Sequence, residues 1–217
     1  MVCLIIPLLI LEPPKLIRQS SNIYAHLIDA GKKIWTNKKL KLLSANGVIS
    51  FAIEESTYQF RATFIITLWP LWAVSFSKVL SSIEAAVSYW YGERLIRKMG
   101  DFRLLLISNI YGRVINIGSA ALAAPISPVL LSSTSLFYGA TKVANSTLMQ
   151  KEFTDEQRAT LVSVSSFTGS LAFGTFAIIL GLFPDEFGPK NTLLLAYTFS
   201  LPTLLISRKL FKSSKGE

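Results

Sequence analysis

The chain has 217 residues, 51% of them hydrophobic and only 16% charged, with a mean hydropathy of +0.45. That composition excludes a disordered chain, a coiled coil and a collagen-like fibre. A single cysteine, Cys3, excludes an internal disulfide framework and a Cys-rich zinc module. Lys and Arg number 22 against 13 Asp and Glu, a net charge of +9, and in a chain this apolar such an excess raises the question of membrane sidedness first.

In chain order, Met1–Leu11 is an apolar run too short to cross a bilayer, closed by Glu12-Pro13-Pro14. Residues 1–12 read as the last turns of a spanning helix. A signal peptide is the competing reading, without a basic segment before it or a small-residue cleavage site after it; a re-entrant or interfacial piece is the third. Residues 13–39 form a basic linker. Within it Ile23, Tyr24, Leu27, Ile28, Ile34 and Trp35 recur at helical spacing around Asp29, Lys32 and Lys33, which predicts an amphipathic helix. Two placements stay open: on the inner membrane face, lysines toward anionic headgroups, or packed on the bundle as a soluble connector. His26 stands alone and reads as a solvated linker residue.

Residues 40–207 hold six segments near the roughly 20 apolar residues that a bilayer core of about 30 Å requires. They are Leu40–Ile65, Trp69–Tyr91, Leu104–Ala124, Pro128–Met149, Thr160–Phe183 and Asn191–Ile206. The fold expected is an all-α membrane protein, a bundle of six transmembrane helices, followed by a basic tail at 208–217. Assigning the connections alternately to two sides puts seventeen Lys and Arg with the linker and tail and two, Arg61 and Lys190, opposite. Cytoplasmic loops carry that excess, so linker and C-terminus are expected in the cytoplasm of a multi-pass cell-membrane protein. The charge then needs no nucleic-acid partner.

In the fifth segment Ser163, Ser166, Ser170, Gly174, Ala177 and Gly181 form a stripe of small residues, the pattern by which membrane helices approach closely. Thr154 and Gln157 have capping-box spacing at its start, and Asp155 and Glu156 suit the positive end of the helix dipole. One His and one Cys make neither a metal cluster nor a convincing nucleophile pair, and no catalytic or phosphate-cradling motif is present. The expectation is a protein without enzymatic activity, metal or cofactor.

What remains is charge inside the segments, costly at membrane depth and so a functional-site candidate: Glu54, Glu55, Lys78, Glu84, Arg113 and Lys142. Asn109, Arg113 and Asn116 share one helix face; Ser135, Tyr138, Lys142 and Asn145 share another. Two polar stripes predict a wet cavity between them, or else a dry ion network that only locks the helices. Counting a 1.5 Å rise from the cytoplasmic segment ends puts Glu54 and Lys78 roughly 21 Å deep, and Glu84, Arg113 and Lys142 roughly 12–14 Å deep. This predicts a structural outer layer, Glu54–Lys78 with Glu55, and a central Glu84–Arg113–Lys142 layer lining a path with Asn109, Asn116 and Asn145. Glu84 is its candidate protonatable group.

Three stretches carry a family resemblance: Glu152–Ser163 (EFTDEQRATLVS) with the small-residue span after it, Gly92–Gly100 (GERLIRKMG), and the apolar stub with its basic linker. In that order the chain resembles the C-terminal six-helix half of a major facilitator superfamily transporter, over nearly all its length. Gly92, Arg94, Arg97, Lys98 and Gly100 resemble that family's cytoplasmic loop motif, with Arg97 standing where the family has an acidic residue. The resemblance implies secondary transport of a small solute by alternating access, coupled to a proton or ion. It also implies that this chain is one half, a fragment, of a twelve-helix parent. Two other readings stay open: a non-transporting membrane scaffold or assembly subunit, and a half-transporter that works as a homodimer.

Overall fold

A computed structural model describes residues 23–153 and 155–213. The described residues are all helical, with no strand. Helix α1 is Ile23–Thr36, α2 Lys38–Ile66, α3 Leu71–Met99, α4 Asp101–Leu122 and α5 Ser127–Ser133; a 3-10 turn, Thr134–Phe137, leads to α6, Tyr138–Gln150. Then come α7 Asp155–Gly181, α8 Pro184–Phe199 and α9 Pro202–Ser213. The apolar stub at 1–12, the first linker residues and the Thr154 cap lie outside the described residues.

Local chemistry sets the ends. Asn37 caps α2, its side chain accepting from the amides of Lys39 at 2.9 Å and Leu40 at 3.2 Å, which satisfies donors the first turn leaves free. Gly100 separates α3 from α4 at φ 79°, ψ 150°, a conformation in which a Cβ is strained. Arg97 and Lys98 in the last turn of α3 and Asp101 in the first turn of α4 match the two helix dipoles. The stretch Gly92–Gly100 is therefore not a loop: Gly92 is buried inside α3, and the helix runs on to Met99.

Two predicted segments are broken. The fourth divides at Thr134–Phe137, where hydroxyl side chains compete for main-chain carbonyls: Ser132 Oγ donates to Pro128 O at 3.0 Å, Ser133 Oγ to Leu130 O at 2.7 Å and Thr134 Oγ1 to Leu131 O at 2.8 Å. The sixth is split by the Ser200-Leu201-Pro202 junction, and the helix that contains its first part starts earlier, at Pro184, with a kink at Gly188 before the segment begins. Helix α9 also extends the expected end, carrying the basic tail as helix to Ser213 with Leu210 buried in the core.

By length and composition two helices could cross a membrane, Asp101–Leu122 and Thr160–Gly181. Six spans of that kind are not found among the described residues: α2 and α3, 29 residues each, are long enough but carry too much polar and charged side chain, and the remaining helices are 16 residues or shorter. The small-residue stripe of α7 is also placed differently from its expected role. Ser163, Ser166 and Ser170 are exposed, while Gly169 faces α2, where a Cβ would stand 3.1 Å from Phe51 Cδ1. The tightest glycine contact lies between α3 and α6. A Cβ on Gly139 would sit 2.6 Å from Tyr89 N, one on Gly92 would sit 3.2 Å from Ala140 Cα, and Ala140 N donates to Ser88 Oγ at 3.1 Å.

The core has two apolar layers. One gathers Leu40 and Leu43 of α2, Leu104 and Leu105 of α4, Leu148 of α6 and Leu210 of α9. The other gathers Phe64 and Ile65 of α2, Val74 of α3, Ala120 of α4, Leu131 of α5 and Tyr197 of α8. Since α2 and α4 run through both, their middle turns lie between the layers.

Candidate functional site

Those middle turns enclose a cavity of about 300 Å³. Its wall comes from residues 46–61 of α2, 81–85 of α3, 105–116 of α4, the 3-10 turn, and residues 138–145 of α6. Ser, Asn, Tyr and five charged side chains face it, although apolar packing lies above and below. Groups of this kind are penalised in a dry core unless they find partners in the protein, water or a ligand.

Arg113 is the most enclosed of the charges, 3% exposed. Its Nη2 lies 3.5 Å from Glu54 Oε1, 3.3 Å from Asn109 Oδ1, 3.2 Å from Thr203 Oγ1 and 3.4 Å from Ser50 Oγ, while its Nε is buried without a partner. Asn109 Nδ2 in turn donates to Ser207 Oγ at 2.8 Å, and Ser207 donates to Asn46 Oδ1 at 3.3 Å. Helix α9 therefore supplies Thr203 and Ser207, a contribution the sequence reading did not foresee.

Arg61, expected at the far mouth of the first segment, turns inward instead. Its Nε donates to Tyr197 OH at 3.1 Å, Nη1 to Leu131 O at 3.3 Å, and Nη2 to Asn116 Oδ1 at 3.0 Å and Thr134 Oγ1 at 3.5 Å. The Leu131 carbonyl at the 3-10 turn thus accepts both from Thr134 Oγ1 and, across the cavity, from Arg61. The run Ser132-Ser133-Thr134-Ser135 was the available signal for that break.

The predicted layers are rearranged. Arg113 pairs with Glu54 and not with Glu84; Lys78 stands off, its ammonium 6.0 Å from the centre of the Tyr58 ring. Glu54, Glu55, Arg113, Lys142, Asn109, Asn116 and Asn145 all line the cavity, whereas Glu84 does not, and its Oε2 is buried without a partner. The expected depths are displaced because α3 runs on to Met99 and α4 begins at Asp101. From Met99, Glu84 is fifteen residues in, roughly 22 Å; Arg113 is twelve from Asp101, roughly 18 Å. Lys142 stands over two rings, 4.9 Å from the centre of Phe51 and 5.4 Å from that of Tyr138. The cavity and the ion pair thus coexist.

Below the first apolar layer lies a second polar group. Lys33 of α1 donates to Glu152 O and stands over Phe153 at 4.7 Å. Lys39 pairs with Glu152 at 3.5 Å, and Lys151 with Asp101 at 3.4 Å. The Lys33 contacts tie α1 to the bundle, while Trp35 remains exposed. Of the loop-motif residues, Arg97 pairs with Glu93 one turn earlier and Arg94 stands over Tyr91 at 5.6 Å; Lys98 is exposed.

Compared with known proteins, the chain matches no family model, no curated protein and no solved structure. Among the described residues, no three of His, Cys, Asp and Glu converge as a metal site would need.

Proposed function

We propose that this helical bundle is embedded in a membrane and moves a small solute through its polar cavity, as one six-helix half of a transporter of major facilitator type. The observation that carries this reading is an inversion of polarity: charge lies inside, at mid-height, while the outer surface is apolar. On α3 the exposed residues Trp72, Phe76, Val79, Ile83, Val87 and Trp90 follow one another at intervals of three and four, a single outward face. The two tryptophans are eighteen residues apart, roughly 27 Å along a helix, close to a hydrocarbon core of about 30 Å with Trp at each interface. Helix α3 falls short on average apolarity because the same stretch carries Lys78 and Glu84 as well as the buried Ser77, Ser81 and Ser88.

In this reading the cavity meets a second bundle, either a partner half or another copy, and alternating access rocks the two about the solute. Ionic and amide side chains in the cavity orient the solute, and a carboxylate among them supports coupling to a proton or ion. A scaffold reading draws its support from α7, whose exposed Phe167, Leu171 and Ile178 offer an apolar face to another membrane helix.

The deciding experiment pairs membrane extraction with solute flux. The expressed chain should resist alkaline carbonate, and proteoliposomes containing it with its second half should show counterflow of a solute that Arg113→Met abolishes. Release by carbonate would overturn the membrane reading. Full membrane integration with no flux for any solute in a broad panel would favour the scaffold.

A further inference from the structure

Five charged side chains face the cavity: Glu54, Glu55, Arg61, Arg113 and Lys142. Three are answered from within the protein. Glu54 and Arg113 form an ion pair, and Arg61 has four oxygen acceptors. Glu55 on α2 and Lys142 on α6 are not answered in this way. Among the described residues neither the Glu55 carboxylate nor the Lys142 ammonium takes part in an ion pair. Lys142 has only the faces of Phe51 and Tyr138 beneath it. One unpaired charge of each sign on one small cavity is costly in a water-poor interior, and the two do not pair with each other.

We propose that the cavity takes a small zwitterionic solute, its anionic group on Lys142 Nζ and its cationic group on the Glu55 carboxylate. The inference rests on the cavity being the solute site of the function proposed above. A simple anion would answer Lys142 and be repelled by Glu55. A simple cation would reverse the problem and compete with Lys142 for the same two rings. Only a solute bearing both charges leaves neither side chain uncompensated. At about 300 Å³ the cavity sits at the small end of ligand pockets, on the order of 300–1,000 Å³. That size suits a single amino acid more than a chain of them. Ser50 and Asn145 on the same wall offer further polar contacts to its charged end.

The test uses the full chain in lipid nanodiscs, with thermal unfolding followed by tryptophan fluorescence and each of the twenty amino acids as probe. At least one should raise the midpoint saturably. Its analogue without the amino group and its analogue without the carboxylate should each bind at least about thirtyfold more weakly, as expected for one lost charge contact in a desolvated site. The variants supply a crossover. Glu55→Gln should lose the amino acid and gain the carboxylate-only analogue; Lys142→Gln should lose it and gain the amine-only analogue; Lys142→Arg should retain it. Each variant is compared with its own unliganded midpoint, so a general loss of stability cannot imitate the pattern. Equal binding of the carboxylate-only analogue by the unaltered chain would overturn the zwitterion and leave the transport reading standing. No saturable shift with any amino acid would overturn it as well, while failure of the membrane reading would appear separately, in carbonate extraction.

Discussion

Arg113 of α4 and Glu54 of α2 meet at 3.5 Å across the cavity, the first 3% and the second 41% exposed. The asymmetry decides what each is worth. Glu54 retains access to the cavity, whereas the guanidinium is enclosed and depends on Glu54, Asn109 and Thr203 for compensation.

Glu54→Gln should therefore destabilise the fold by about 1–3 kcal/mol, because a buried charge loses its partner. For a chain of this length that is roughly 2–4 °C in thermal midpoint per kcal/mol. Glu55→Gln, with no internal partner to orphan, should leave the unliganded midpoint within about 1 °C. Fluorescence-detected melting of the two variants side by side checks this, and equal losses would count against the pairing.

Gly139→Ala should be among the most damaging single-methyl changes available. Its Cβ would stand 2.6 Å from main-chain N and ring Cγ of Tyr89, so α3 and α6 must separate. Overpacking of this kind costs about 1–3 kcal/mol or more. Gly118→Ala on the outer side of α4 meets nothing within 4 Å and should be neutral or stabilise by about 0.5–1 kcal/mol. The contrast can be read as the yield of monodisperse protein and its melting temperature.

Arg61 and Tyr197 should be energetically coupled. Tyr197→Phe removes one acceptor and Arg61→Met removes the donor from all four of its partners, so the double variant should be less destabilised than the sum by about 0.5–3 kcal/mol. A double-mutant cycle measures this directly. Strict additivity would mean that the 3.1 Å contact contributes nothing.

If the bundle spans a membrane, sidedness follows from charge. The layer containing Leu40, Leu104 and Leu210 lies at the end with the Lys and Arg excess, so that end should face the cytoplasm. In a Cys3→Ala background, Glu186→Cys should react with an impermeant thiol reagent in intact cells and Lys98→Cys only after lysis. Gly188 is avoided because its φ of 73° penalises any side chain. The reverse labelling would contradict the orientation.

How far the sequence could be read depended on the kind of signal. Helices α2 and α4 lie within a few residues of their expected limits because apolar runs with a polar inner face have few other conformations. The break at Thr134–Phe137 was visible in principle, since four consecutive hydroxyl residues offer the main chain alternative hydrogen bonds. An average of apolarity over the segment conceals it. The pairing of Arg113 with Glu54 was not accessible from depth counts, because α4 begins at Asp101 and carries Arg113 deeper than expected, and α3 runs seven residues past Gly92 and carries Glu84 deeper too. Depth alone does not say which faces meet. Arg61 was missed for another reason. A long side chain near a helix end can reach back toward the centre, and sequence position alone does not say which way it turns.

The α3–α6 contact also sets the mechanics of the cavity. Where Gly139 admits no extra methyl against Tyr89, and Ser88 binds the amide of Ala140, the two helices cannot slide by a fraction of a turn without first coming apart. They form one rigid strut, with the 3-10 turn as its bend. Any widening of the cavity has to come from the opposite wall, where α2 and α6 face each other at Gly47, beside Asn145, and through the Lys142 ammonium over the Phe51 ring. The strut stays, and the door is between α2 and α6.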